Sequence, residues 1–83
     1  MAYLARIRVT LRKSILDPQG KAVEHAVLTL GFAGVSHVRM GKYIELRVDQ
    51  QGKNEALRVT EDVCKKLLAN PVMEDFSIEL EEL

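Results

Sequence analysis

The sequence predicts an α+β domain: a single antiparallel-type sheet layer with two helices on one face, in the order β-α-β-α-β. Three observations lead there. Apolar and polar residues alternate along three stretches, the period of half-buried strands. In the two intervening stretches apolar residues recur every three or four positions, the period of a helix with one buried stripe. The middle alternating stretch is too long for a simple strand, so a long, bent central strand is expected.

Ala5, Ile7, Val9 and Leu11 alternate with Arg6, Arg8, Thr10 and Arg12, which predicts the first strand. The next element starts at Asp17-Pro18. An aspartate accepts hydrogen bonds from the free amides of a first helical turn, and proline suits the first helical position because its φ is preset and it lacks an N–H. From Pro18 to about Ala33, Val23, Ala26, Val27 and Leu30 form one stripe, with Glu24 and His25 off it, and Gly31 or Gly34 is placed to end the helix.

Val38, Met40, Ile44, Leu46 and Val48 share one parity, with Arg39, Tyr43, Glu45 and Arg47 on the other. A two-residue hairpin at Gly41-Lys42 would put Met40 opposite Tyr43 and Val38 opposite Glu45, mixing apolar and charged side chains on one face. One strand bent at Gly41 is therefore expected. From Val35 to Asp49 it would run about 50 Å at roughly 3.3 Å per residue, which requires a bend or bulge.

Gln50 to Asn54 reads as a polar turn. Leu57, Thr60, Val63, Cys64, Leu67 and Leu68 form the second helical stripe, ending near Asn70-Pro71, with Asn70 as a left-handed cap. Phe76, Ile78 and Leu80 alternate with Ser77, Glu79 and Glu81 in a last strand with an acidic outer face. The unpaired edges of such a sheet favour burial against a second copy, so association through the sheet is expected.

With 83 residues the chain is expected to form one domain, residues 1–83. A domain of this size hides only about 60 to 65% of its unfolded surface, and oligomerisation is a common remedy. Its 47% hydrophobic and 29% charged residues exclude a disordered composition. One cysteine forms no internal disulfide, and neither a signal peptide nor a membrane-length apolar run is seen, so a cytoplasmic location is expected. Net charge is zero but unevenly spread: eight basic and three acidic side chains precede Asp49, while four basic and nine acidic follow from it. That asymmetry predicts pairing within or between subunits.

Catalytic chemistry finds no constellation. His25, His37 and Cys64 lack the spacing of a metal site, and Cys64 falls on an apolar stripe, where an inert thiol is expected. His37 reads as an exposed strand histidine. Glu79, Glu81 and Glu82 belong to an exposed strand and read as ion-paired rather than as acid-base groups. Gly41-Lys42 is no phosphate loop. The basic face of Arg6, Arg8 and Arg12 lacks the aromatic platforms of a nucleic-acid binder, aromatics being 5% of residues, and ion pairing accounts for it better.

Three segments carry a family resemblance: Leu16-Asp17-Pro18-Gln19-Gly20, Val38-Arg39 with Gly41-Lys42, and Leu67-Leu68-Ala69-Asn70-Pro71-Val72. In order and spacing they resemble the PurS subunits of phosphoribosylformylglycinamidine synthase. The resemblance implies a non-catalytic scaffold in purine biosynthesis that joins PurL, which binds ATP and formylglycinamide ribonucleotide, to PurQ, a glutaminase that liberates ammonia. It implies no cofactor in this chain, ATP and magnesium in PurL, a homodimer or homotetramer, and neither nucleic acid nor membrane as partner. Asp17, Pro18, Gln19, Gly20, Arg39, Gly41 and Lys42 are then structural or partner-contact positions, Arg39 being the first choice for a contact with PurL. A small ligand-binding regulatory domain of an oligomeric enzyme is the alternative the same alternation of strands and helices allows.

Overall fold

A computed structural model describes all of residues 1–83. The elements are β1 (Ala2–Leu11), α1 (Pro18–Thr29), β2 (Gly41–Asp49), α2 (Lys53–Val63, prolonged by one wide turn over Cys64–Leu68) and β3 (Glu74–Glu82). β1 lies in the middle of a three-stranded antiparallel sheet ordered β2-β1-β3. The α+β class and the β-α-β-α-β order are those the periodicities predict.

The sheet's two faces follow the alternation. Tyr3, Ala5, Ile7 and Val9 are buried and align with Val48, Leu46, Ile44 and Lys42 on β2. On β3, Ala5, Ile7 and Val9 align with Leu80, Ile78 and Phe76. α2 covers this face: Ala56 joins Tyr3, Ala5 and Val48, while Cys64 and Ala69 join Ile7 and Val9. The opposite face holds the expected ion pairs. Arg6 meets Glu45, Glu79 and Glu81, Arg8 meets Glu79, and Arg12 meets Asp75. The lopsided charge is thus largely resolved between neighbouring strands of one chain.

Four expectations need correction. The strand predicted from Val35 starts at Gly41 and lies at the sheet's edge; the central position belongs to β1. β1 ends at Leu11 and its register pairs Thr10 with Gly41, so the segment before Gly41 has no neighbouring strand to continue the ladder. Side chains of the α1 segment serve its amides instead, as described below.

His37, expected on that strand, lies in irregular chain between α1 and β2 at φ +58°. Asn70 is not a left-handed cap, because the wide turn closes with the amide of Ala69 on the carbonyl of Cys64 and Ala69 is already extended. Asn70 instead builds the turn into β3, its side-chain oxygen accepting from the amide of Val72.

The last correction concerns α1, which does not lie on its own sheet. Gly20 is its only buried residue, and Leu28, Leu30 and Phe32 in and just beyond it are more than half exposed. The reason is topological. β1 and β2 are antiparallel neighbours, so the chain returns beside the point it left, and nothing draws the inserted helix back over the strands. The result is a long molecule of 51 × 27 × 14 Å with a radius of gyration of 16.2 Å, against about 12 Å for a compact chain of this length. α1 ends at Thr29, short of the expected Ala33, and of the two glycines placed to end it Gly31 does so, its φ of +93° suiting glycine. The amides of Gly31 and Phe32 bond back to the carbonyls of Leu28 and Val27, closing the helix with a Schellman motif.

Candidate functional site

Two of the motif segments, distant in sequence, meet at the root of α1 and form one knot. The side chain of Asp17 caps the helix by accepting from the amide of Gly20 at 2.9 Å, and its other oxygen accepts from the amide of Met40 at 2.8 Å. One buried carboxylate thereby ties the start of α1 to the start of β2. Those two amides, Met40 first, hold the Asp17 carboxyl below its ordinary value, because they stabilise the charged form.

Gly20 explains itself by space. A Cβ there would lie 2.5 Å from both the Asp17 side chain and the carbonyl oxygen of Val38. Gly41 is similar, since its Cβ would lie 2.6 Å from the carbonyl oxygen of Val9. Both glycines permit close backbone approach.

Arg39 closes the other side of the knot. Its guanidinium donates to the carbonyls of Leu11 at 2.9 Å, Arg12 at 2.8 Å and Ile15 at 3.4 Å, where β1 gives way to the turn in which the Arg12 carbonyl also accepts from the amide of Ile15. Lys42 points the other way, donating from Nζ to the carbonyl of Leu68 at 3.2 Å and lying 3.8 Å from Glu74. A cation at the final carbonyls of a helix is favourable. Pro18 occupies the first helical position and is exposed. Gln19 beside it is exposed too.

Periodicity did not single out Glu24, yet its Oε1 accepts from the amide of Val38 at 3.1 Å. The only signal was its place one helical turn after Gly20, off the apolar stripe. A cavity of about 700 Å³ opens beside the knot, bordered by Lys13, Ser14, Leu16, Lys21 and His37. Elsewhere, Cys64 is fully buried, and burial first, then Glu61, pushes its thiol above the ordinary value, as the inert reading expects. No three His, Cys, Asp or Glu side chains converge in a manner that could hold a metal ion, and no helix is long and apolar enough to cross a membrane.

Such a structure defines a class: a small α+β subunit whose distinctive residues build shape, and whose projecting helix carries an apolar stripe with no cover in its own chain. The chain belongs to the PurS family, matching it over residues 4–82 under the description phosphoribosylformylglycinamidine (FGAM) synthase. It is 43% identical over 81 residues to the phosphoribosylformylglycinamidine synthase subunit PurS of Bacillus subtilis, covering 98% of this chain and 95% of the relative. Its fold is similar to that of Methanocaldococcus jannaschii PurS, one of the subunits of formylglycinamide ribonucleotide amidotransferase in the purine biosynthetic pathway: TM-score 0.87, 34% identity, 98% of each chain covered. It is similar also to a chain in the structure of PurLQS from Thermotoga maritima, with TM-score 0.91, 28% identity and coverage of 98% and 99%.

Proposed function

We propose that this chain is the non-catalytic scaffold subunit of phosphoribosylformylglycinamidine synthase, acting in the cytoplasm as a homo-oligomer that joins PurL to PurQ. The observation that carries the reading is the match of nearly the whole chain to a chain of the PurLQS structure. In this assembly PurQ releases ammonia from glutamine, and PurL, holding ATP and magnesium, uses it to convert formylglycinamide ribonucleotide to formylglycinamidine ribonucleotide, with ADP, phosphate and glutamate as further products.

A scaffold has a physical task here. In neutral water ammonia is mostly protonated to ammonium, which is not a nucleophile, and it dilutes at once. Holding its source and its consumer together along a water-poor route preserves the free base and its local concentration. No residue of the scaffold needs to move a proton. The knot supports this reading, since Asp17, Gly20, Arg39, Gly41 and Lys42 all act on backbone of their own chain. Their contribution to partner binding is to set the direction of α1. Gln19, exposed beside them, is the motif residue available for a direct contact.

Reconstitution tests the proposal. The chain alone turns over no formylglycinamide ribonucleotide. Added to PurL and PurQ, it switches on glutamine-dependent synthesis while ammonia-dependent synthesis by PurL changes little. Equal glutamine-dependent rates with and without it would refute the scaffold role.

A further inference from the structure

The cations of this chain divide into two equal groups. Arg6, Arg8, Arg12, Lys42, Arg47 and Arg58 each form an ion pair with a carboxylate. Lys13, Lys21, Arg39, Lys53, Lys65 and Lys66 do not. Half of this second group, Lys13, Lys21 and Arg39, borders the cavity of about 700 Å³ beside the knot.

The two carboxylates at that cavity are turned to backbone instead. Asp17 accepts with one oxygen from the amide of Gly20 and with the other from that of Met40, and Glu24 accepts with Oε1 from the amide of Val38. Lys21 and Glu24 stand three residues apart in α1, a spacing at which opposite charges commonly pair, yet the helical ion pair of this chain is Glu55 with Arg58. Arg39 spends its donors on carbonyls and adds only its charge. His37 lies at the cavity's rim with φ +58°, and its Nδ1 is 3.0 Å from the Ser36 hydroxyl. With that hydroxyl donating, Nε2 carries the proton and is a donor without a partner.

We propose that this cavity binds a small phosphate monoester with a hydroxylated body, the chemistry of a sugar phosphate, its phosphate held by Lys13 and Lys21 with His37 as a further donor. A phosphate monoester carries about −1.5 to −2 charge at neutral pH, which two ammonium groups match, and lysine binds phosphate as a point charge. The body follows from the rest of the lining. The volume falls in the range of small-molecule sites, roughly 300–1,000 Å³, far more than a bare phosphate ion fills. Ile15, Leu16 and Val38 supply an apolar wall, and the second carboxylate oxygen of Glu24 is an acceptor for hydroxyl groups. Lys13 belongs to the turn after β1, Lys21 to α1 and His37 to the segment before β2, so a bound ligand braces the three stretches that meet at the knot and steadies the direction of α1.

This site goes beyond the scaffold reading and is tested without the partner subunits. Titration of the purified full chain, followed by NMR amide shifts, uses ribose 5-phosphate, ribose, inorganic phosphate and adenosine monophosphate. Ribose 5-phosphate gives saturable shifts at Ser14, Lys21 and Val38 and binds about tenfold or more tightly than ribose or inorganic phosphate. Tighter binding of adenosine monophosphate assigns the site to a nucleotide, and equal or weaker binding assigns it to the free sugar phosphate. Lys13→Gln and Lys21→Gln, at exposed positions that the fold does not need, each weaken binding roughly tenfold. Glu24→Gln keeps an oxygen for the Val38 amide and weakens ribose 5-phosphate but not inorganic phosphate. Lys53→Gln removes an unpaired cation outside the cavity and changes nothing. Absence of saturable shifts at millimolar ribose 5-phosphate, or equal losses in Lys21→Gln and Lys53→Gln, would overturn the site, and equal affinity for inorganic phosphate and ribose 5-phosphate would overturn the monoester. Either result leaves the scaffold role to be judged by reconstitution alone.

Discussion

Asp17 accepts a hydrogen bond from the amide of Met40 across 23 residues of sequence, and with it the entry to α1 and the entry to β2 become one joint. The same carboxylate caps α1 through Gly20. The direction in which the helix leaves the sheet is therefore set by this joint, since α1 has no extensive contact with any strand.

Gly20→Ala tests the closeness of that joint. The added methyl meets the backbone of Val38, which has little freedom to retreat. A loss of about 1–3 kcal/mol is expected in urea denaturation, although alanine is the better helix former. A gain in stability would show that the Gly20–Val38 approach is loose.

The Asp17 carboxyl predicts a pH dependence with a definite sign. Its folded value is lowered from 3.8, so the unfolded chain binds the proton first as pH falls. Its contribution is fully present above the ordinary value and disappears as pH drops through the lowered one. Asp17→Asn is expected to be less stable than the parent at pH 7, with the gap narrowing below pH 3.8. Denaturation midpoints against pH measure this, and a gap independent of pH would contradict it.

Arg39→Lys separates charge from geometry. Lysine keeps the charge but loses the planar fork that reaches three carbonyls. Faster hydrogen exchange is expected at the amides of Ile15 and Met40, with exchange in the middle of β1 unchanged. Protection equal to the parent's would show that Arg39 does not hold the turn.

The core makes its own prediction. Ile7 and Cys64 are fully buried in one cluster, so Ile7→Ala is expected to cost about 2–5 kcal/mol. In a chain this small such a loss is a large share of stability. Cys64 should then react with a thiol reagent much faster in Ile7→Ala than in the parent, where reaction waits on opening. Equal labelling rates would mean that Cys64 is reached without disturbing the cluster.

Much of this was readable from residue order. β1 and β3 alternate with a single phase, so their buried and charged faces were legible, as were the arginine and glutamate pairs across them. Asp17-Pro18 announced α1 and Gly31 its end, because caps and left-handed turns are local chemistry. The motif residues were also visible, but not what they touch.

By itself, the sequence determined the order of strands and helices and which face of each strand is apolar, because those properties depend on side chains a few positions apart. Only the tertiary structure decided that β1 lies at the centre, that alternation before Gly41 forms no strand, and that α1 stands away from the sheet. A strand needs a neighbour for its amides and a helix needs a surface for its stripe. Where the end of β1 removes the first and the return of the chain removes the second, hydrogen bonds from Asp17, Glu24 and Arg39 shape the joint instead.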